Sequence, residues 1–355
     1  MAEPITAQKQ IKPGWLTDTL HENGHLSYGR VTSVKKEGFT THFSQIWRLK
    51  LVYSGDAAPQ LPTSMLLKSA LPDIDGSLNM GKVEVSAYLQ LAQGMIDPPI
   101  VRCFDATHSE QSNRSHILME DLSTTHFQPE LPIPPSRSHC ELSVEALAQF
   151  HAFGWKHPGL GTMIGQLVDA AALNEIVSLL VDGLAGIGDY LGDRLSTHRR
   201  QIYERALDFM PGFWERRLRS IQRNTLIHGD AHLWNFLHPR DTEKGRAYII
   251  DLGTCNRVRP PTNDLAYMMA LQWYPERRAV MERDLLKLYH DRLVAFGVSD
   301  YEWDDCLLDY RYSVISHLFT PIFQWAGKRI PAGVWWHNLN RIFEAYEDLQ
   351  CADLS

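Results

Sequence analysis

The chain has 355 residues, 44% hydrophobic and 22% charged, the balance of a soluble globular protein too long for one ordinary core, so two lobes are expected. Its 35 basic and 42 acidic side chains leave a net charge of −7, which excludes a nucleic-acid binder held mainly by phosphate contacts. Five scattered cysteines (Cys103, Cys140, Cys255, Cys306 and Cys351) form no CxxC pair, so neither a disulfide framework nor a cysteine-rich zinc site is expected.

The N-terminal stretch MAEPITAQKQIKPGW has no apolar signal core. Nothing in the chain approaches the about eighteen consecutive apolar residues of a membrane span. The expectation is a cytoplasmic, reducing compartment without membrane insertion. Strands are predicted over 30–37, 46–54 and 64–70, where β-branched and aromatic residues alternate between Gly, Pro and Ser punctuation. A helix is predicted over 80–93, then two more strands around PIVRCFDATH and HILMEDL. The proline-rich stretch QPELPIPPSRS follows, unfriendly to helix or strand, and a lobe boundary is placed just before it. The division is therefore 1–122 and 123–355.

Beyond the boundary the pattern is mainly helical. Ser138 and Glu141 are spaced as a capping box, and Val144, Leu147, Ala148 and His151 recur at helical spacing. A further amphipathic helix over 276–296 is stopped by Gly297. Between them, TLIHGD and RAYIIDLGT read as short apolar strands flanking a hairpin-like interruption, HPRDTEKG.

Four polar residues interrupt the apolar run LIHGDAHLWNFL. Asp230 precedes Asn235 by five residues, and Asp251 ends the apolar run YIID sixteen residues later. Phosphoryl transfer needs a carboxylate on the nucleophilic hydroxyl and oxygen ligands for the magnesium ion of the nucleotide. Asp230 would take the hydroxyl proton; Asn235 and Asp251 would ligate Mg²⁺. Upstream, Lys68 is a lone cation in an apolar strand, with Glu84 sixteen residues on in a predicted helix. A strand lysine paired with a helix glutamate grips nucleotide phosphates in kinases. ILMEDL reads as a hinge whose backbone, at Glu120 to Leu122, could hydrogen-bond an adenine edge.

These segments together resemble the aminoglycoside phosphotransferase and choline kinase superfamily, closest to its ecdysteroid-kinase-like branch and the bacterial relatives of that branch. The resemblance runs in order through Lys68, Glu84, MEDL, LAQFHA, HGDAHLWN, IIDLG and DLAYMM. It implies a two-lobed, protein-kinase-like α+β fold: a five-stranded antiparallel sheet with one helix, then a mainly helical lobe. It also implies ATP and Mg²⁺ as cofactors and a hydroxyl-bearing small molecule as acceptor. Two departures stand out. Asp251 is followed by Leu252 rather than an aromatic, and the loop KEGFTTHFSQIW has one glycine, leaving Ser44 as its phosphate-side candidate. His232 either faces the transferred phosphate or braces the loop. Asp264 is read as capping the LAYMM helix and accepting hydrogen bonds from the loop, and His151 as a satisfied core histidine.

Other classes stay open. His228, Asp230 and His232 alternate and could form the metal cluster of a hydrolase; a non-catalytic ATP-binding module is the third reading. Nine aromatics between Tyr301 and Trp336 suit a bulky, largely neutral acceptor, or simply fill a helical core. A cationic acceptor of aminoglycoside or choline type would want an acidic wall; Asp304, Asp305 and Asp309 are diluted by Arg311, Lys328 and Arg329. Oligomeric state is not legible.

Overall fold

The computed structural model describes residues 3–41, 43–57, 61–72, 76–130, 132–328 and 330–354. His42 and Arg329 lie outside the described residues.

The chain forms ten strands and ten α-helices among the described residues. In order they are α1 (Pro13–Glu22), β1 (Val31–Thr40), β2 (Ser44–Tyr53), β3 (Ser64–Ala70), α2 (Ser77–Gly94), β4 (Cys103–Ser109), β5 (Arg114–Glu120), β6 (His126–Phe127), α3 (Arg137–Lys156), α4 (Ala170–Leu191) and α5 (Thr197–Arg217). Then follow β7 (Thr225–Ile227), β8 (Phe236–Pro239), β9 (Tyr248–Ile249), β10 (Arg257–Arg259), α6 (Thr262–Ala266), α7 (Pro275–Ala295), α8 (Trp303–His317), α9 (Thr320–Ala326) and α10 (Ala332–Asp348).

Two compact units result: Met1–Pro129 with Phe236–Cys255, and Glu130–Asn235 with Asn256–Ser355. The single division after residue 122 is thus replaced by a boundary at 129 and a returning segment. The cause is strand pairing. β6 pairs with β8 and β8 with β9, and Ile100 bridges Ile249, so the hairpin of β8 and β9 belongs with the N-terminal unit. β7 pairs instead with β10 in the other unit. TLIHGD and RAYIIDLGT are therefore not partners of each other, as the hairpin reading supposed.

The N-terminal unit holds the expected five-stranded antiparallel sheet, in the order β1-β2-β3-β5-β4. It carries two helices rather than one. Alternation along β3 explains how they divide the sheet. Met65, Leu67 and Ser69 are buried on one face, where Met65 and Leu67 join Trp47, Leu49 and Leu118 in a core closed by Ile11, Leu16 and Leu20 on and beside α1. Leu66, Lys68 and Ala70 point to the other face. Gly81 lets α2 approach that face: a Cβ there would meet Ser115 Oγ at 2.3 Å and Ala70 Cβ at 2.9 Å. One helical turn on, Glu84 is carried to within reach of Lys68.

The C-terminal unit is mainly helical, with Leu147, Leu180, Tyr203, Leu265, Tyr289 and Phe343 in its core. α3 is capped by Ser136, whose Oγ accepts from His139 N, so Ser138 lies inside the helix rather than capping it. α7 ends as expected, Gly297 standing at φ +88°. α4 is the one helix among the described residues long and apolar enough to cross a membrane by length and composition; it is largely exposed, and Glu175, Asp182 and Asp189 interrupt it. Averaged apolarity, not an unbroken apolar run, is what the sequence reading overlooked there. Of the nine aromatics, Tyr301, Tyr310, Phe319 and Trp335 are buried in the helical core, while Phe323 is exposed.

Candidate functional site

Lys68 and its partners form the first constellation, all within the N-terminal unit. Lys68 Nζ donates to Glu84 Oε1 at 2.8 Å and to Asp251 Oδ1 at 2.5 Å. Glu84 is only 5% exposed, so it is no solvated surface residue. Burial alone would lower the Lys68 pKa, but the charges of Glu84 and Asp251, with their hydrogen bonds, hold it above its ordinary value. The lysine is therefore a fixed cation.

Asp251 lies two residues beyond β9 rather than on it. It stands at φ +64°, ψ +51°, a left-handed conformation uncommon outside glycine that Asp tolerates better than most. The following 3₁₀ turn, Leu252–Thr254, packs on α2, where a Cβ on Gly253 would lie 3.0 Å from Met80 Cβ. Leu252, in the place of the aromatic, is wholly buried. Asp251 is thereby held out of the core with its side chain about half exposed (52%).

A cavity of about 530 Å³ opens beside this cluster, within the size range of ligand pockets. Lys68, Glu84, Asp251 and Ser44 line one part of it, and Glu120, Asp121 and Leu122 another. Thr41, unremarked in the sequence, closes the β1–β2 turn by donating N–H to Ser44 O at 2.8 Å and also lines the cavity. At the far end, Glu120 N–H is engaged by Arg102 O at 2.9 Å, and Asp121 is held by Ser64 and Arg48. Leu122 O accepts from His126 N–H at 2.8 Å, while Leu122 N–H has no hydrogen-bond partner among the described residues.

The loop between β7 and β8 is the second constellation, within the C-terminal unit. A fully buried chain of polar groups braces it. Asp264 Oδ2 accepts from His228 N–H at 2.7 Å and Oδ1 from Gly229 N–H at 2.9 Å. His151 Nε2 donates to Asp264 at 3.0 Å, and its Nδ1 accepts from Tyr289 Oη at 2.7 Å. Burial would raise the Asp264 pKa, but the His151 hydrogen bond and charge, with that of His228 and the Gly229 amide, hold it below the ordinary carboxylate value. Asp264 thus accepts from the loop as expected, but from inside the first turn of α6, not as its cap.

His228 Nδ1 accepts from Asp230 N–H at 3.2 Å, so this wholly buried ring turns into the loop. Among the described residues, no three His, Cys, Asp or Glu side chains are grouped as a metal cluster, and the hydrolase reading is not favoured. Asn235 Nδ2 donates to Asp230 O at 2.9 Å and to Asp230 Oδ2 at 3.2 Å, which leaves its Oδ1 as the atom able to ligate. His232 Nε2 lies 3.6 Å from Asp230 Oδ2. Tyr267 stands near this loop: burial, and then the negative charge of the neighbouring Asp230 carboxylate, raise its pKa well above the ordinary value. Only a π-helical turn, Tyr267–Leu271, carries the phenol there, and the apolar string DLAYMM gives no hint of that turn. In its own unit each residue offers a hard oxygen donor of the kind Mg²⁺ takes, a carboxylate at Asp251 and an amide oxygen at Asn235.

Comparison with known proteins gives the same reading at family level. Residues 40–297 match the profile of the ecdysteroid kinase-like family. A search of the curated proteins finds no match. Among solved structures, one from Ralstonia eutropha assigned as an aminoglycoside phosphotransferase aligns with 14% identity over 90% of this chain and 93% of its own, TM-score 0.53. Plasmodium vivax ethanolamine kinase aligns with 11% identity over 90% and 83%, TM-score 0.53. The gentamicin complex of APH(2")-IIa aligns with 15% identity over 97% of each chain, TM-score 0.52. At these identities the likeness is one of fold: an antiparallel-sheet N-terminal unit and a mainly helical C-terminal unit, as in the kinase-like enzymes.

Proposed function

Since the chain belongs to the ecdysteroid kinase-like family, we propose that it transfers the γ-phosphate of ATP, taken as its magnesium complex, to a hydroxyl of a small, bulky and largely neutral acceptor. The observation that carries this is Lys68 held between Glu84 and Asp251 at the wall of the 530 Å³ cavity. Lys68 holds nucleotide phosphate oxygens and Glu84 fixes its position. Leu122 N–H, with the Glu120 backbone beside it, meets the adenine edge, and Ser44 lies at the phosphate end. Asp251 and Asn235 supply oxygen ligands to Mg²⁺, which when bound neutralises phosphate charge.

Asp230 orients the acceptor hydroxyl. It takes the proton as the new oxygen–phosphorus bond forms and the terminal bridging bond of ATP breaks, ADP leaving with that bond's electrons. Asn235 holds the carboxylate in place, Tyr267 lies close to it, and His232 stands beside it as the candidate contact for the transferred group. The braced backbone of His228 and Gly229 fixes the loop before substrate arrives, which lowers the cost of reorganisation during transfer. A polycationic acceptor is less well supported: Asp309 is held by Arg217 at 2.6 Å and Asp305 by Arg223 at 2.7 Å, so neither offers a bare acidic wall.

The test is ATP consumption against a library of hydroxyl compounds (sterols, macrolides, sugars, choline and aminoglycosides), with the phosphorylated product identified by mass. Asp230→Asn should abolish transfer, by about 10²-fold or more, while leaving nucleotide affinity and thermal stability close to wild type. Near-normal turnover in that variant would remove Asp230 from the role assigned to it. Absence of any phosphorylated product across the library, with ATP still bound, would favour a non-catalytic nucleotide-binding module.

A further inference from the structure

A second cavity, of about 200 Å³, lies wholly within the C-terminal unit. It is too small for a complete sterol-sized ligand and takes part of one. Ile227 of β7, three residues before Asp230, belongs to its wall, so it adjoins the loop that carries the proposed base. Phe213, Tyr312, Phe319 and Phe323 give it an aromatic wall, with Phe213 and Tyr312 stacked at 4.3 Å between ring centroids.

Two arginines also line it, Arg257 exposed and Arg259 half-buried, with Asn263, Ser313 and Ser316 among the polar groups beside the aromatic wall. Arg257 and Arg259 alternate with the wholly buried Val258 on β10, so both lie on the face of the strand opposite the core. Arg257 is paired in register with Ile227. Neither has a carboxylate within ion-pair distance among the described residues, and no carboxylate lines the cavity. The carboxylates of neighbouring elements are engaged elsewhere: Asp309 with Arg217, Asp305 with Arg223, and Asp264 with His151. Among the described residues the one hydrogen bond from the Arg259 side chain runs from Nη1 to Val258 O at 2.8 Å.

The electrostatics of the pair are unfavourable as they stand. Burial, and then the like charge of Arg257, pull the Arg259 pKa down to about 10, still charged at neutral pH. His317, on the same wall, adds no charge: burial holds its pKa at about 4. Two guanidinium groups without a counter-ion, one partly desolvated, create a strong preference for an anion of matching geometry.

We propose that this cavity receives the acceptor and that Arg257 and Arg259 bind an anionic group on it, so that the substrate is an amphipathic hydroxy acid: an apolar body bearing one carboxylate or similar anion as well as the hydroxyl to be phosphorylated. This rests on the kinase reading and narrows it, giving the largely neutral acceptor one anionic group. The apolar body lies against Tyr312 and Phe319, and its anion against the two guanidinium groups. A quaternary amine or an aminoglycoside is repelled by the same pair.

The probes are cholic, mandelic and ricinoleic acids, each with its neutral methyl ester, measured for binding and for MgATP-dependent phosphorylation in the full chain. At least one acid should bind about tenfold or more tightly than its ester, the scale of a charge-assisted contact. In Arg257→Gln and in Arg259→Gln that acid-over-ester ratio should fall towards one. The ratio is read within each variant, so a variant that unfolds loses both ligands and is distinguished from one that has lost only the preference; the wild-type comparison stands in either case. Esters bound as tightly as acids, failure of every acid to bind, or an unchanged ratio in both variants would overturn the anion site. So would a tenfold loss of nucleotide affinity in the variants with the acid preference kept, which would give the arginines to the nucleotide instead. Equal phosphorylation of acid and ester overturns this inference while leaving the kinase reading intact. Arginine-dependent acid binding with no phosphorylation overturns the kinase reading and keeps the site.

Discussion

Lys68 holds its charge between two carboxylates in different surroundings. Glu84 is buried and Asp251 half exposed, so the two halves of the cluster should respond differently to mutation. Lys68→Ala strands the Glu84 carboxylate in the interior, at a cost of the order of a few kcal/mol. Glu84→Ala leaves Lys68 with Asp251 and solvent, and should be milder. For transfer itself the pair should act as one unit: each single alanine lowers the rate, and the double lowers it little further. A double-mutant cycle on both transfer rate and unfolding free energy checks this; strict additivity would mean that the two do not cooperate. Lys68 could be read from the sequence because a lone cation in an apolar strand demands an anion. Glu84 was legible only as a spacing. The left-handed backbone at Asp251 and the reach of Tyr267 to Asp230 were not legible, since each depends on a local turn that no residue pattern marks.

At the level of elements, α2 is positioned by close approach rather than by large side chains. Gly81 and Glu84 lie one turn apart on the same face, and the absent Cβ at Gly81 sets how near the helix can come to β3 and β5. Gly81→Ala should push α2 outward, destabilising the protein by about 1–3 kcal/mol and weakening transfer through the displaced Glu84. Gly14 is the control: a Cβ there meets nothing within 4 Å, so Gly14→Ala in α1 should be neutral or slightly stabilising. Denaturant unfolding of both variants decides the matter; equal stabilities would show that α2 has room to spare. The first three strands of this unit were legible because alternation persists over seven to ten residues: β3 coincides with its expected span, while β1 runs three residues further than expected and β2 begins two earlier. α1 was missed: its helix opens on Lys12 without a side-chain cap and begins at Pro13, so no capping signal announces it. The pairing of β7 to β10 was also beyond sequence reading, because strands of two to four residues carry too little pattern to name a partner.

Across the whole molecule, the chain order of the motifs and their grouping in space differ. Asp230, Asn235 and Asp251 read as one block, yet the first two belong to the unit of Glu130–Asn235 and the third to that of Phe236–Cys255. The order was enough to suggest the function; the grouping depended on β8 finding β6, a partner more than a hundred residues earlier. A ligand that binds only the folded chain raises its stability by about 2.7 kcal/mol at a hundredfold excess over Kd, a shift of a few degrees in the unfolding temperature. ATP should therefore raise the unfolding temperature more in the presence of Mg²⁺ than in its absence. Asp251→Ala should erase most of that magnesium increment, because a carboxylate is the stronger ligand for a hard cation and its loss leaves phosphate charge uncompensated. Asn235→Ala should keep part of it, since a neutral amide oxygen contributes less. Asp230→Asn, at a residue assigned to the acceptor rather than the metal, should keep all of it. A full magnesium increment in Asp251→Ala would displace that residue from the metal, and a larger loss in Asn235→Ala than in Asp251→Ala would reverse the order of the two ligands.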